Sequence, residues 1–226
     1  MNALLISSRD LSPHNAQSPM RALIPAIVIP LIILIDQATK IAIKTSMCLY
    51  EKIEITPWFQ LLFTENKGMA FGMSFVGTMF LALFRIVATG LFIYLLYKII
   101  KDEKYPKGLI VIVSMLIAGA LGNLVDNFFY GLIFSESAPI YFAQGPAHFV
   151  PFGEGYGEFL SGKVVDMFYF PLFEWPDWMP LIGGDVFFGA VFNVADAAIS
   201  IAFVLALCFY SKYLNFSFKK SKENNE

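Results

Sequence analysis

Charge is what this chain has least of. Of its 226 residues 15% are Asp, Glu, Lys or Arg, against 57% hydrophobic residues that include 24 Phe; a soluble domain would carry about 25% charged residues. Histidine and cysteine are scarcer still, at two each. His14, His148, Cys48 and Cys208 are scattered along the chain, and no His-x-x-x-His or Cys-x-x-Cys spacing occurs. A metal site or a Cys–His nucleophile therefore lacks its ligands and partners. Cofactor, metal and nucleic-acid partner are all expected to be absent. One region is also short of basic residues: 127–188 holds Lys163 alone against Glu136, Glu154, Glu158, Asp166, Glu174, Asp177 and Asp185.

What is present in quantity is long apolar sequence. Four stretches, about 22–44, 74–100, 108–126 and 188–210, are each long enough to cross a hydrocarbon core of about 30 Å. The first is not read as a secretory signal, because it runs without a small-residue cleavage site into Asp36-Gln37-Ala38-Thr39-Lys40. Residues 1–19, rich in Ser, Asn and Pro, read as a disordered tail, with Met20 as a second candidate start. Lys98, Lys101, Lys104 and Lys107 crowd the link between spans two and three, and Lys212, Lys219, Lys220 and Lys222 follow span four. Basic residues favour the cytoplasmic side, so both regions and both termini are expected inside, with 213–226 a polar cytoplasmic tail and 127–188 outside. Cys48 and Cys208 then fall near opposite faces, which argues against a disulfide.

The expected fold is an all-α membrane protein, one membrane-embedded domain over 20–212. It is a four-helix transmembrane bundle with a small β-sheet and an irregular interfacial insert on the outer face. The sheet comes from 51–65, where Ile53, Ile55, Trp58, Phe59 and Leu61 nearly alternate between turn signals at Pro57 and Asn66-Lys67-Gly68. The segment 127–188, rich in Gly, Pro and aromatic residues, is expected to be irregular on the lipid headgroups, with one short interfacial helix.

On this topology the few polar residues meet. Asp36 lies about 12 Å inside span one at a rise of about 1.5 Å per residue, and Asp196 lies at a similar depth. Gly122, Asn123 and Asp126 occupy the outer end of span three, Asn66 and Gly68 precede span two, and Asp166 approaches from the loop before span four. Asp36 and Lys40 are i, i+4, and Asn193 and Asp196 are i, i+3, so each pair shares a helix face. Small residues at Gly119, Ala120, Gly122, Ala195, Ala197 and Ala198 allow close helix approach. Ionisable residues at membrane depth are functional candidates by default. Asp166 and Asp196 together suggest a carboxylate pair sharing one proton, the device that activates water in aspartic proteases.

Plainer readings compete at some positions. Asp36 with Lys40 can be a structural ion pair as readily as a substrate contact, Asp126 at a helix end can simply meet interfacial water, and Arg85 reads as a snorkelling or paired residue. The rival function is a small proton-coupled transporter. A relay would string carboxylates through the bilayer, whereas the inner halves of these spans are almost free of charge and no inverted repeat is evident.

Five ordered motifs carry a family resemblance: Asp36-Gln37-Ala38-Thr39-Lys40, Asn66-Lys67-Gly68-Met69-Ala70-Phe71, Gly119-Ala120-Leu121-Gly122-Asn123-Leu124-Val125-Asp126, Val164-Val165-Asp166 and Phe192-Asn193-Val194-Ala195-Asp196. Together they resemble lipoprotein signal peptidase, or signal peptidase II. The resemblance implies an intramembrane aspartic endopeptidase of the bacterial inner membrane, which removes the signal peptide from a prolipoprotein just before its diacylglyceryl-modified cysteine. It implies Asp166 and Asp196 as the catalytic dyad, and Asn66, Asn123 and Asn193 near the substrate peptide. Asp36, Lys40 and Asp126 would organise the site, with Gly68 and Gly122 in the same motifs. Membrane lipid and peptide inhibitors such as globomycin are the implied partners, and a monomer is sufficient. Two departures stand out. The family commonly places Arg after its Asn-Leu-x-Asp motif, where this chain has Asn127, leaving Lys67 and Arg85 as candidates to supply its contacts. The stretch between Asp126 and Val164 is also much longer than usual, and 128–162 is expected to be a mobile flap over the site or, as the alternative, a passive surface loop.

Overall fold

A computed structural model of the chain describes residues 19–66, 78–142 and 144–214. Gly68 and Lys67 lie outside the described residues, as do 1–18 and most of the C-terminal tail. Four helices are long and apolar enough to cross a membrane: α1 (Pro19–Ser46), α2 (Thr78–Lys101), α3 (Lys107–Val125) with its extension to Ile133, and α5 (Val194–Leu214). Between α3 and α5 lies α4 (Gly131–Ile133), which is that extension, reached through a π-helical turn at Asp126–Tyr130.

The bundle is built around α3. Of its apolar window 67% is buried inside the protein, against 22% or less in the other three, which pack around it and turn residues such as Leu34, Phe84 and Phe209 outward. Small residues make this possible. A Cβ on Gly119 would stand 2.4 Å from the Ala195 carbonyl oxygen, and one on Gly122 would stand 2.7 Å from Asp36 Oδ2. At the end away from the sheet, Arg21 of α1 closes the α2–α3 link. Its guanidinium donates to the carbonyls of Ile99 (2.6 Å), Ile100 (3.1 Å), Asp102 (3.1 Å) and Tyr105 (3.0 Å). These include carbonyls that the end of α2 leaves without helical partners.

The sheet stands at the other end. β1 (Lys52–Thr56), β2 (Phe59–Asn66), β3 (Val164–Tyr169) and β6 (Val191–Phe192) pair antiparallel in that order. Period-2 alternation sends Val165 and Met167 of β3 into a core with Phe63, Ile43, Met47, Leu49, Tyr130 and Phe134, so Asp166 between them faces the opposite side. A separate hairpin, β4 (Phe173–Glu174) with β5 (Val186–Phe187), fills the connection from β3 to β6.

Three features differ from the sequence reading, two of them span boundaries. Helix α5 starts at Val194 rather than near 188, because the apolar run before it ends in the short strand β6 (Val191–Phe192), and hydropathy does not separate a strand from a helix. Asn193 marks the true start as N-cap, its Oδ1 accepting from the Asp196 amide at 2.9 Å. Span three runs beyond Asp126 to Ile133, and this extension stands in place of the expected short interfacial helix; among the described residues of 134–192 there is no helix. The insert, expected as a free flap, is docked. Its backbone bonds to the α3 extension and to the end of α1 through Gly157 N to Gly131 O (2.9 Å), Tyr156 N to Phe134 O (3.0 Å), Gly162 N to Asn127 O (3.1 Å) and Leu49 N to Ala138 O (2.9 Å).

Candidate active site

Helix α1 presents Asp36, Lys40 and Lys44 as a stripe at successive i, i+4 positions, all with no exposed surface. Lys40 Nζ reaches three acceptors, each at 2.9 Å: Asp36 Oδ2, Asp126 Oδ2 and Asn123 Oδ1. An ammonium has three protons to give, and all three are used. Gln37 adds a second clamp, its Nε2 donating to Asp126 Oδ1 (2.9 Å) and to the Gly122 carbonyl (3.0 Å), while its Oε1 accepts from Tyr130 OH (3.1 Å).

Both carboxylates of this cluster reach outward to the elements that carry Asp166 and Asp196. Asp36 Oδ1 accepts from the Ala195 amide (2.9 Å), in the first turn of α5 beside Asp196. Asp126 Oδ2 accepts from the Val165 amide (3.2 Å), next to Asp166 on β3. The Asp36–Lys40–Asp126 cluster thereby ties together the two pieces of backbone on which Asp166 and Asp196 stand. Asp126 is fully buried, so the reading that placed it against interfacial water is set aside.

Two asparagines bridge the pair itself. Asn193 Nδ2 donates to Asp166 Oδ1 at 2.7 Å, and Asn123 Nδ2 donates to Asp196 Oδ1 at 2.8 Å. The asparagines also meet each other, Asn193 Nδ2 to Asn123 Oδ1 at 3.2 Å. A continuous amide chain thus joins the two carboxylates. Asp166 is 6% exposed and Asp196 more open. Burial, and then the neighbouring charge of Asp196, push the Asp166 carboxyl up to about 8.

The structure therefore gathers Asp36, Lys40, Gly122, Asn123, Asp126, Asp166, Asn193 and Asp196 at one end of the bundle. Asn66 ends β2 opposite Val164, with Thr64 opposite Asp166. The sequence reading did not foresee Gln37, although it sits inside a motif; its signal was an amide beside Asp36 in an apolar helix. At the position of the missing arginine, Arg85 of α2 donates from Nη1 to Asn127 Oδ1 at 2.8 Å, and Asn127 Nδ2 donates to the Gly162 carbonyl at 2.7 Å.

A second buried cluster, also unforeseen, sits one turn along α1. Lys44 Nζ pairs with Glu65 Oε1 (2.5 Å) and Ser137 Oγ (2.7 Å), and Ser137 Oγ donates to Glu65 Oε1 (2.7 Å). Lys163 approaches Glu65 Oε2 (3.3 Å) and pairs with Glu136. Opposing charges hold the Glu65 carboxyl below its usual range, Lys44 foremost, although burial alone would raise it.

Residues 28–212 match the model of the signal peptidase (SPase) II family. The chain belongs to the signal peptidase II family. It is 45% identical over 192 residues to the lipoprotein signal peptidase of Porphyromonas gingivalis, covering 83% of this chain and 82% of that one. With the lipoprotein signal peptidase of Amoebophilus asiaticus it shares 34% over 178 residues, 75% of this chain and 70% of that one. A solved bacterial membrane enzyme superimposes with a TM-score of 0.53 at 23% identity, covering 92% of this chain and 96% of that one, a likeness of fold. As a signal peptidase II, the protein is a multi-pass membrane peptidase.

Proposed function

We propose that this signal peptidase II cleaves prolipoproteins as an aspartic endopeptidase, just before the diacylglyceryl-modified cysteine, with Asp166 and Asp196 as its dyad. The observation that carries the reading is the pair of carboxylates from different elements, joined through Asn193 and Asn123 at one end of a membrane bundle. Asp166, the carboxyl pushed up by burial, holds the shared proton at neutral pH. Asp196 takes a proton from water as the water oxygen attacks the scissile carbonyl, and Asp166 donates its proton toward the developing oxyanion. As the intermediate collapses, the carbon–nitrogen bond breaks, Asp196 returns its proton to the departing cysteine amine, and Asp166 takes back a proton from a hydroxyl of the gem-diol, leaving the signal peptide as a carboxylic acid. Asn66, Asn123, Asn193 and Arg85 supply polar partners for peptide groups drawn into an apolar site.

The same reading puts the protein in the bacterial inner membrane with both termini cytoplasmic and the dyad near the outer leaflet, working as a monomer. Peptide inhibitors such as globomycin would compete for the space between the aspartates. A transporter reading has less support, because the buried carboxylates of the described membrane helices, Asp36 and Asp126, lie together at one end of the bundle instead of crossing it.

Cleavage of a lipidated prolipoprotein in detergent tests the dyad. Asp166→Asn and Asp196→Asn should each lower turnover by at least ~10²-fold while the protein remains folded and membrane-bound. Near-normal turnover by either variant would remove that residue from the dyad.

A further inference from the structure

The segment joining the two dyad aspartates is itself a surface feature that the chemistry leaves unused. Between Asp166 and Asp196 the chain leaves the sheet as the β4–β5 hairpin. Its far end carries Trp178 at 80% exposure and Leu181 at 101%, with Leu172, Phe173 and Phe188 also open at its base. The hairpin is built rather than loose. Phe173 and Phe187 stack at 4.7 Å, Trp175 N donates to Asp185 O and Gly184 N to Trp175 O, both at 2.9 Å, and Gly183 N donates to Met179 O at 2.9 Å. Leu181 is held there in the left-handed backbone region, at φ 72°. A branched side chain pays for that conformation with strain, and in the folded chain Leu181 has no burial to offset it.

Two observations say what covers this tip. First, the hairpin is continuous with membrane surface: β6 follows it directly, and α5 then carries lipid-facing Ile201, Phe203 and Val204. Second, its charge excludes attraction to anionic headgroups. Glu174, Asp177 and Asp185 lie along it, and no Lys or Arg occurs from Val164 through Ser211. Trp with large aliphatic side chains is the composition that settles at the boundary of headgroups and acyl chains.

We propose that the β4–β5 hairpin is a lipid anchor, its tip seated among the acyl chains of the leaflet beside the dyad and its acidic flanks in the headgroup layer. The occupant is lipid, drawn by apolar burial alone. Because the hairpin links β3 to α5, its immersion sets the height of both aspartate-bearing segments together. This inference does not depend on the assignment of the dyad.

The test uses the full chain carrying Trp58→Phe and Trp175→Phe, which leaves Trp178 as its sole tryptophan, at one copy per lipid nanodisc. In zwitterionic lipid brominated near the top of the acyl chains, Trp178 should emit to the blue and lose most of its emission. Replacing part of that lipid with an anionic one should weaken the quenching. A red emission quenched by aqueous acrylamide and indifferent to brominated lipid would overturn the anchor. So would emission shielded from both quenchers, which would mean that protein covers the tip. If the double variant folds poorly, Trp178→Asp with Leu181→Asp in the otherwise natural chain is compared by limited proteolysis in nanodiscs. Faster cleavage within 176–184 supports the anchor, and an unchanged rate overturns it.

Discussion

Lys40 and Lys44 stand one turn apart on the same face of α1, both fully buried, and they are put to opposite uses. Lys40 is enclosed by Asp36, Asp126 and Asn123, all from membrane helices, and its carboxylates pass on to the backbone beside Asp196 and Asp166. Lys44 is enclosed by Glu65 of β2, Ser137 of the insert and the rings of Phe134 and Tyr156, 5.4 and 5.0 Å from the ammonium. The lower cation holds two like charges together and orders the site. The upper one sits in a neutral network with Glu65, Lys163 and Glu136 and fastens the insert to the sheet. A buried charge thus orders the candidate site or fastens the scaffold according to which elements own its partners.

The comparison is easiest to break at Lys40. Lys40→Met leaves two buried carboxylates facing each other without a cation, which should cost about 3–5 kcal/mol and abolish cleavage. Thermal unfolding in detergent, with a turnover assay, measures both. Lys44→Met should be milder, about 1.5–3 kcal/mol, because Glu65 keeps Ser137 and Lys163. Cleavage should survive at a reduced rate. Equal losses in the two variants would erase the distinction between the clusters.

The pH dependence sharpens it further. Asp166 has its folded-state carboxyl raised from 3.8 to about 8, so the stability it contributes is complete below about 4 and is lost as the pH rises through about 8. Asp166→Asn should flatten that slope in unfolding measurements. In the proposed mechanism turnover uses the shared proton, so it should fall about tenfold per pH unit above 8. The smallest effect belongs to Ser137→Ala, which removes one hydroxyl from the upper network and should cost about 1 kcal/mol. Its unfolding midpoint should move while turnover stays near normal.

The site was largely legible because an isolated polar residue in an apolar helix has few places to go. Asp36 with Lys40 and Asn193 with Asp196 declared shared faces by spacing alone, and the alternation of 51–65 announced the hairpin. Other features depend on tertiary partners that spacing does not reveal. Phe188–Phe192 has the hydropathy of a helix, yet its last two residues are strand because β3 offers Phe168 and Tyr169 as pairing partners. Arg85 read as a snorkelling or paired residue, and only the extension of α3, which brings Asn127 within reach, decides for pairing and names the partner. The insert's Gly and Pro content suggested freedom, yet Gly155 and Gly162 are places where backbone passes backbone, with no room for a Cβ against Gly131 O or Asp126 O.

The π-helical turn at Asp126–Tyr130 acts as an index mark on a rod. By accommodating one extra residue it rotates everything above it by about 100° relative to an uninterrupted α-helix. Below the mark, α3 keeps Asn123 and Asp126 aimed at α1. Above it, Tyr130 and Phe134 come round to the sheet, and Tyr130 OH finds Gln37. The one residue of added length is absorbed within this turn, so Asn123 keeps its aim at α1 while Tyr130 and Phe134 keep theirs at the sheet core.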